Sequence, residues 1–124
     1  MTKNLEIYKC SVCENIVEVV HDGVGQLVCC GQPMELQKEN SVDASLEKHV
    51  PIVLEKDGKI IVRVGEIDHP MEEAHYIEWI ELVCAGKTCR KTLKPGDEPS
   101  AIFMTDCSDY SVRAYCNIHR LWKK

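Results

Sequence analysis

The first 30 residues carry four cysteines: Cys10-Ser11-Val12-Cys13 and, after fifteen intervening residues, the adjacent pair Cys29-Cys30. No other feature constrains the fold of this chain as tightly. The surrounding segment reads as short strands, Leu5 to Cys10, Ile16 to Val20 and Gln26 to Cys30, broken by the Gly-rich turn His21-Asp22-Gly23-Val24-Gly25. Burial alone does not stabilise a unit of that size; below about 40 residues a metal ion or disulfides take the place of a core. A C-x2-C turn aims two sulfurs at one centre. Neighbouring strand residues point to opposite faces, so the vicinal pair needs a distorted backbone to reach the same ion. A tetrahedral S4 site suits zinc or iron, and spacing does not choose between them; two disulfides or four buried thiols are the plain alternatives.

The compartment bears on that choice. No apolar stretch follows the charges of the N-terminus and no run approaches membrane-spanning length, so a cytoplasmic location with no membrane partner is expected. In a reducing compartment clustered cysteines are metal ligands more often than disulfides. Twenty acidic residues against fifteen basic ones leave a formal charge of −5. That balance lacks the basic footprint of a nucleic-acid binder.

Residues 38–46 are mostly polar and hold no sustained period, which places a linker between a first domain at 1–37 and a second at 47–124. The second part shows β-type runs at Val50 to Lys56, Lys59 to Val64, His75 to Cys84, Cys89 to Leu93, Ala101 to Cys107 and Tyr110 to Cys116. Turn signals separate them, notably Asp57-Gly58, Ala85-Gly86, Pro95-Gly96-Asp97 and Ser108-Asp109. The runs are rich in β-branched and aromatic residues, and none keeps a 3.6-residue apolar stripe. An all-β fold follows, with the second part an antiparallel sandwich. Lys59 to Val64 alternates only partly, as in a strand whose ends are buried on both faces.

Four of the five histidines fall in this second part, in three groups: Glu47-Lys48-His49-Val50-Pro51, His69-Pro70-Met71-Glu72-Glu73-Ala74-His75 and Cys116-Asn117-Ile118-His119. Any one alone reads as an exposed or hydrogen-bonded histidine. As a set they sit at strand and loop ends, which converge at one end of a sandwich. Cys-x2-His is a compact chelating pair and His-x5-His across a proline-containing loop is another. Four imidazoles and a thiolate exceed the four ligands of a structural zinc site and fit a metal with five ligands and a vacancy, for which iron is the obvious candidate. His21 lies away from every group and carries no such reading.

These motifs, in this order and with the four-cysteine segment ahead of them, resemble desulfoferrodoxin, the two-iron form of superoxide reductase, over nearly the whole chain. The resemblance implies a desulforedoxin-like first domain and an immunoglobulin-like, neelaredoxin-like catalytic domain. It also implies an all-sulfur iron centre at Cys10, Cys13, Cys29 and Cys30, and a square-pyramidal iron centre with His49, His69, His75 and His119 equatorial and Cys116 axial. Members of the family reduce superoxide to hydrogen peroxide with one external electron, commonly from rubredoxin, and are typically homodimers. Glu47 and Lys48 match a mobile loop whose carboxylate can take the sixth position of the oxidised iron while the lysine assists at the open face. Lys48 adjoins a candidate ligand, where an ammonium would steer an anionic substrate. The alternatives are an electron carrier of rubredoxin type and a zinc-stabilised interaction module; the latter leaves the four histidines idle.

Three cysteines stand outside these motifs. Cys84 and Cys89 flank a predicted hairpin turn and are expected either as a disulfide or as two small thiols; Cys107 is expected as a core residue at a strand end.

Overall fold

Three of the turns are fixed by pairs of residues with positive φ: Cys30 (52°) and Gly31 (73°), Asp57 (50°) and Gly58 (75°), Ala85 (49°) and Gly86 (80°). Each pair closes a two-residue hairpin, the loop geometry whose twist matches that of the flanking strands. In the computed structural model, which describes residues 1–41 and 49–124, every regular element is a strand, as the all-β reading expects. No helix among the described residues is long and apolar enough to cross a membrane.

The chain divides into two compact units, Met1–Lys38 and Glu39–Lys124. In the first, β1 (Ile7–Lys9) is flanked by β2 (Ile16–Glu18) and β5 (Glu35–Leu36), and β3 (Val28–Cys29) and β4 (Gln32–Pro33) form a separate hairpin. Its buried apolar residues are Ile7, Cys10 and Val19. So thin a core agrees with a unit whose fold depends on its cysteines.

The second unit has a three-stranded sheet, β10 (Ser100–Met104), β7 (Lys59–Val64) and β6 (Pro51–Lys56), and a four-stranded sheet, β12 (Arg120–Lys123), β11 (Tyr110–Cys116), β8 (Ile77–Cys84) and β9 (Lys87–Thr92). All of these pairings are antiparallel. One cluster fills the space between the sheets: Ile60, Val62, Val64, Ala101 and Phe103 from the first, Ile80, Leu82, Val112, Ala114 and Cys116 from the second. The period-2 spacing of these positions is that of a sandwich core. β7 differs from its expected burial on both faces: Ile60, Val62 and Val64 are buried while Lys59 and Arg63 are exposed, so one face meets the core and the other does not.

The other face of the four-stranded sheet carries a buried ionic group. Glu81, fully buried, takes Arg113 Nε at 2.9 Å and Arg90 Nη2 at 2.6 Å, with Arg113 Nη2 also in contact; Arg113 Nη1 reaches Glu39 at 3.2 Å. Burial pushes the Glu81 carboxyl up and the Arg113 guanidinium pulls it down.

The leftover cysteines differ from expectation. Cys84 is disulfide-bonded to Cys107, with Cα atoms 6.5 Å apart, and Cys89 is an exposed free thiol. In the β8–β9 register Cys84 opposes Lys87 and Cys89 opposes Leu82, so the two hairpin cysteines are diagonal rather than facing neighbours. A bridge along the hairpin needs its tip to shift, whereas Cys107 stands within bonding distance of Cys84 as folded. Cys107 lies in the connection between β10 and β11, half-buried, rather than in the core.

Candidate metal centres

In the first unit the knuckle at Cys10 is closed by Cys10 N–H to Asn15 O (2.9 Å) and Glu14 N–H to Cys10 O (3.0 Å), with Glu14 at φ 66°. The N–H groups of Val12 and Cys13 both point at Cys10 Sγ, each at 3.4 Å. The backbone distortion required by the vicinal pair is the left-handed Cys30, which turns its sulfur to the same side as that of Cys29. Cys13 Sγ lies 3.5 Å from Cys29 Sγ, which lies 3.9 Å from Cys30 Sγ. Sulfurs about 2.3 Å from one tetrahedral ion stand about 3.8 Å apart, so the donors are already spaced for it. All four lie within 4.8 Å of one another.

The backbone N–H bonds from Cys13 and Val12 hold the Cys10 thiol down at about 6. Hydrogen bonds with the Cys13 and Cys10 sulfurs push Cys29 up to about 12, and Cys30 is also raised, chiefly by Cys13. One sulfur is therefore a thiolate at neutral pH before any ion arrives. Cys10 is buried, while Cys13 and Cys30 are exposed, which leaves one side of the S4 group open to solvent.

In the second unit His49 stands just ahead of β6, His69 and His75 lie in the connection from β7 to β8, and His119 is in the turn from β11 to β12. Their rings form a closed circuit. Centroids are 4.6 Å apart for His49–His69, 4.7 Å for His69–His75, 5.2 Å for His75–His119 and 4.7 Å for His119–His49. The His49–His75 diagonal is 6.4 Å. Four rings at tetrahedral corners would be equidistant; a diagonal about 1.3 times the mean side is close to a square. Adjacent rings are nearly perpendicular, at 65° to 81°.

Cys116 is fully buried, and its Sγ is 3.9 Å from His119 Nδ1, which is 3.1 Å from His49 Nε2. Two nitrogens about 2.1 Å from one ion at a right angle are about 3.0 Å apart. His49, His75, Cys116 and His119 have donor atoms within 4.8 Å of one another. His69 is not among those four although its ring completes the circuit; its Nδ1 is held 2.8 Å from Pro70 O. His49 Nδ1, His69 Nε2 and His75 Nε2 are buried and accept or donate no hydrogen bond among the described residues, while each residue has other interactions. Imidazole nitrogens gathered in this way, beside a buried thiol, fit a metal with five protein donors better than a tetrahedral zinc.

Local structure explains why these side chains meet. β8 and β11 slip register at Cys116, which pairs with Ile77 where Tyr115 pairs with Trp79; such a bulge re-aims a side chain at a sheet end. Asn117 ties the flanking loops together, its Oδ1 accepting from Tyr76 N–H at 2.9 Å and its Nδ2 donating to Ala74 O at 3.1 Å. Mutual N–H···O bonds between Glu72 and His75 (3.0 Å each) close the turn that presents His75. Trp122 stacks on His49 at 4.6 Å and 16°, and its Nε1 donates to His119 O at 3.0 Å. Sequence reasoning missed Trp122; the available signal was an aromatic three residues beyond a Cys-x2-His pair. Glu47 and Lys48 lie outside the described residues.

The profile of the family Desulfoferrodoxin matches residues 41–124, and that of Desulfoferrodoxin, N-terminal domain, matches residues 2–37. A desulfoferrodoxin homolog of Archaeoglobus fulgidus is 57% identical over 123 residues, 99% of this chain and 98% of that protein. A superoxide reductase of Thermococcus kodakarensis is 36% identical over 107 residues, 70% of this chain and 92% of its own. The crystal structure of superoxide reductase from Treponema pallidum superposes with a TM-score of 0.81 over 99% of both chains; at 21% identity it shows likeness of fold.

Proposed function

This chain belongs to the desulfoferrodoxin family, and from that premise we propose that it is a superoxide reductase, converting superoxide to hydrogen peroxide with one electron and two protons. The observation that carries the reading is the square of four imidazoles with a buried cysteine sulfur beside it. His49, His69, His75, His119 and Cys116 would hold one iron, and Cys10, Cys13, Cys29 and Cys30 the other. When bound, the first iron supplies the electron that superoxide takes up. Cys116, fully buried, would contribute a negatively charged sulfur to that iron. Trp122 and Asn117 fix two of the rings, so little reorganisation accompanies the change of charge. From its place next to His49 in sequence, Lys48 would attract the anionic substrate, and Glu47 would compete for the open face after turnover. Cys13 and Cys30, being exposed, give a rubredoxin-type donor a direct approach to the S4 group.

Two further parts of the reading are a cytoplasmic location and a homodimer. Exposed Leu54 and Ile102 flank Ile61 across the three-stranded sheet, an apolar row of the kind an isologous contact covers. Superoxide pulsed into the anaerobically reduced protein tests the activity. Rapid oxidation of the reduced histidine-ligated iron, in protein holding two irons per chain, is the expected result; no reaction at that iron, or zinc alone in iron-sufficient preparations, overturns it. Lys48→Ile should slow second-order capture and flatten its salt dependence; equal rates and equal salt slopes in both proteins would remove Lys48 from the mechanism.

A further inference from the structure

The Cys84–Cys107 disulfide and the Cys89 thiol lie at the end of β8 opposite its His75 end. We infer that Cys84, Cys89 and Cys107 form a thiol–disulfide exchange site, through which an external dithiol opens the Cys84–Cys107 bond by way of Cys89. Four observations support it. Cys84 and Cys107 are both half-buried, whereas Cys89 is exposed on β9, an edge strand with every residue exposed. Opposite residues of an antiparallel pair share a face, as do residues two apart. With Leu82 facing Cys89, the Cys89 thiol stands on the face of Cys84, one diagonal step away. The hairpin closes through Ala85 and Gly86, and Ala85 holds a left-handed φ of 49° that an alanine adopts at a cost, so the tip that must shift is the strained part of the hairpin. Cys107 also lines a cleft of about 320 Å3 with Asp57, Gly58, Lys59, Thr105 and Asp106, which gives a departing Cys107 thiol open space.

The electron count closes on thiols alone. The Cys89 thiolate attacks Cys84 Sγ; the Cys84–Cys89 bond forms as Cys84–Cys107 breaks, and Cys107 leaves as a thiolate that takes a proton from solvent. One thiolate of the external dithiol then attacks Cys89 Sγ and releases Cys84. Its second thiol displaces Cys89 from the mixed disulfide. Three protein thiols and one oxidised external disulfide result, with two electrons passed to the protein. Lys87 and Lys91 stand two residues either side of Cys89 on the same face of β9 and favour a dithiol partner with acidic surroundings.

Iron-loaded protein is mixed anaerobically with dithiothreitol, quenched with an alkylating reagent, and mapped by peptide mass spectrometry at the three positions while the optical spectrum reports the metal centres. Wild type should open the Cys84–Cys107 bond at least about tenfold faster than Cys89→Ser, with the spectrum unchanged. Cys107→Ser, treated with oxidised dithiothreitol, should accumulate the Cys84–Cys89 disulfide. Equal opening rates in wild type and Cys89→Ser overturn the assignment, as does Cys107→Ser with Cys84 and Cys89 left unlinked, or Cys84 and Cys107 recovered as thiols from oxidised wild type. Cys89 is exposed, so its serine variant keeps the fold and the test does not depend on Cys107→Ser.

Discussion

Trp122 joins the histidine square to the sandwich through two separable contacts, a face against His49 and an Nε1–H to His119 O, and two substitutions take them apart. Trp122→Phe keeps a ring against His49 and deletes the donor. The carbonyl of His119 then loses a partner inside a largely buried site, at about 1–3 kcal/mol for an unsatisfied buried group. Part of that appears as looser iron, because groups that orient ligands typically change metal affinity by about 10- to 100-fold. Trp122→Ala also removes nearly the whole of a side chain that is 8% exposed, and such truncations cost about 3–5 kcal/mol. The expected order is therefore wild type, Phe, Ala, both in thermal midpoint and in retention of ferrous iron against a competing chelator. The informative variant is Phe, with a modest fall in midpoint beside a loss of iron affinity of at least about tenfold. Should Trp122→Phe hold iron as tightly as wild type while Trp122→Ala loses it, stacking alone would fix His49 and the hydrogen bond to His119 O would have no part.

Other substitutions and pH changes test other parts of the structure. Glu81→Gln leaves the Arg113 guanidinium buried with only the half-exposed Glu39 as counter-charge, and should lower stability by about 3–5 kcal/mol in denaturant unfolding; Arg90→Ala, which removes a partly exposed partner of the same carboxylate, should cost far less. In metal-free protein Cys10 titrates at about 6, so ultraviolet titration should show a thiolate forming near that pH, and loading the S4 group below pH 6 should release one more proton per ion than loading at pH 7. Tyr110 donates to Glu55 at 2.5 Å, and its hydroxyl is raised from 10.0 to about 12 by burial first and by Glu55 second. Its folded-state value lies above the unfolded one, so the stability it adds is complete below pH 10 and lost as pH rises to 12; the difference in thermal midpoint between wild type and Tyr110→Phe should shrink across that window.

The elements that sequence reading located best are those whose turns announce themselves. Asp57-Gly58 and Ala85-Gly86 sit between apolar runs, and β6, β7, β8 and β9 lie within a few residues of the runs they separate. β12 was not anticipated, because four residues at the chain end show no period and its apolar Leu121 and Trp122 are adjacent. Two of the three histidine groups were visible as chelating pairs, but the arrangement of the set was not: a square depends on loops held by Asn117 and on the register slip at Cys116, and neither leaves a trace in spacing. The Cys84–Cys107 bond was hidden for the same reason, since sequence proximity pointed to the hairpin neighbour while the sheet set the two hairpin cysteines on a diagonal.

The order of the donors along the chain has a consequence during synthesis. The sulfur group is complete once Cys30 has been made, whereas the histidine square lacks a corner until His119. At about 5–20 residues per second those 89 residues take about 4 to 18 s. The N-terminal unit can therefore capture its ion while the second unit is still being translated, and the histidine square can form only once His119 has followed.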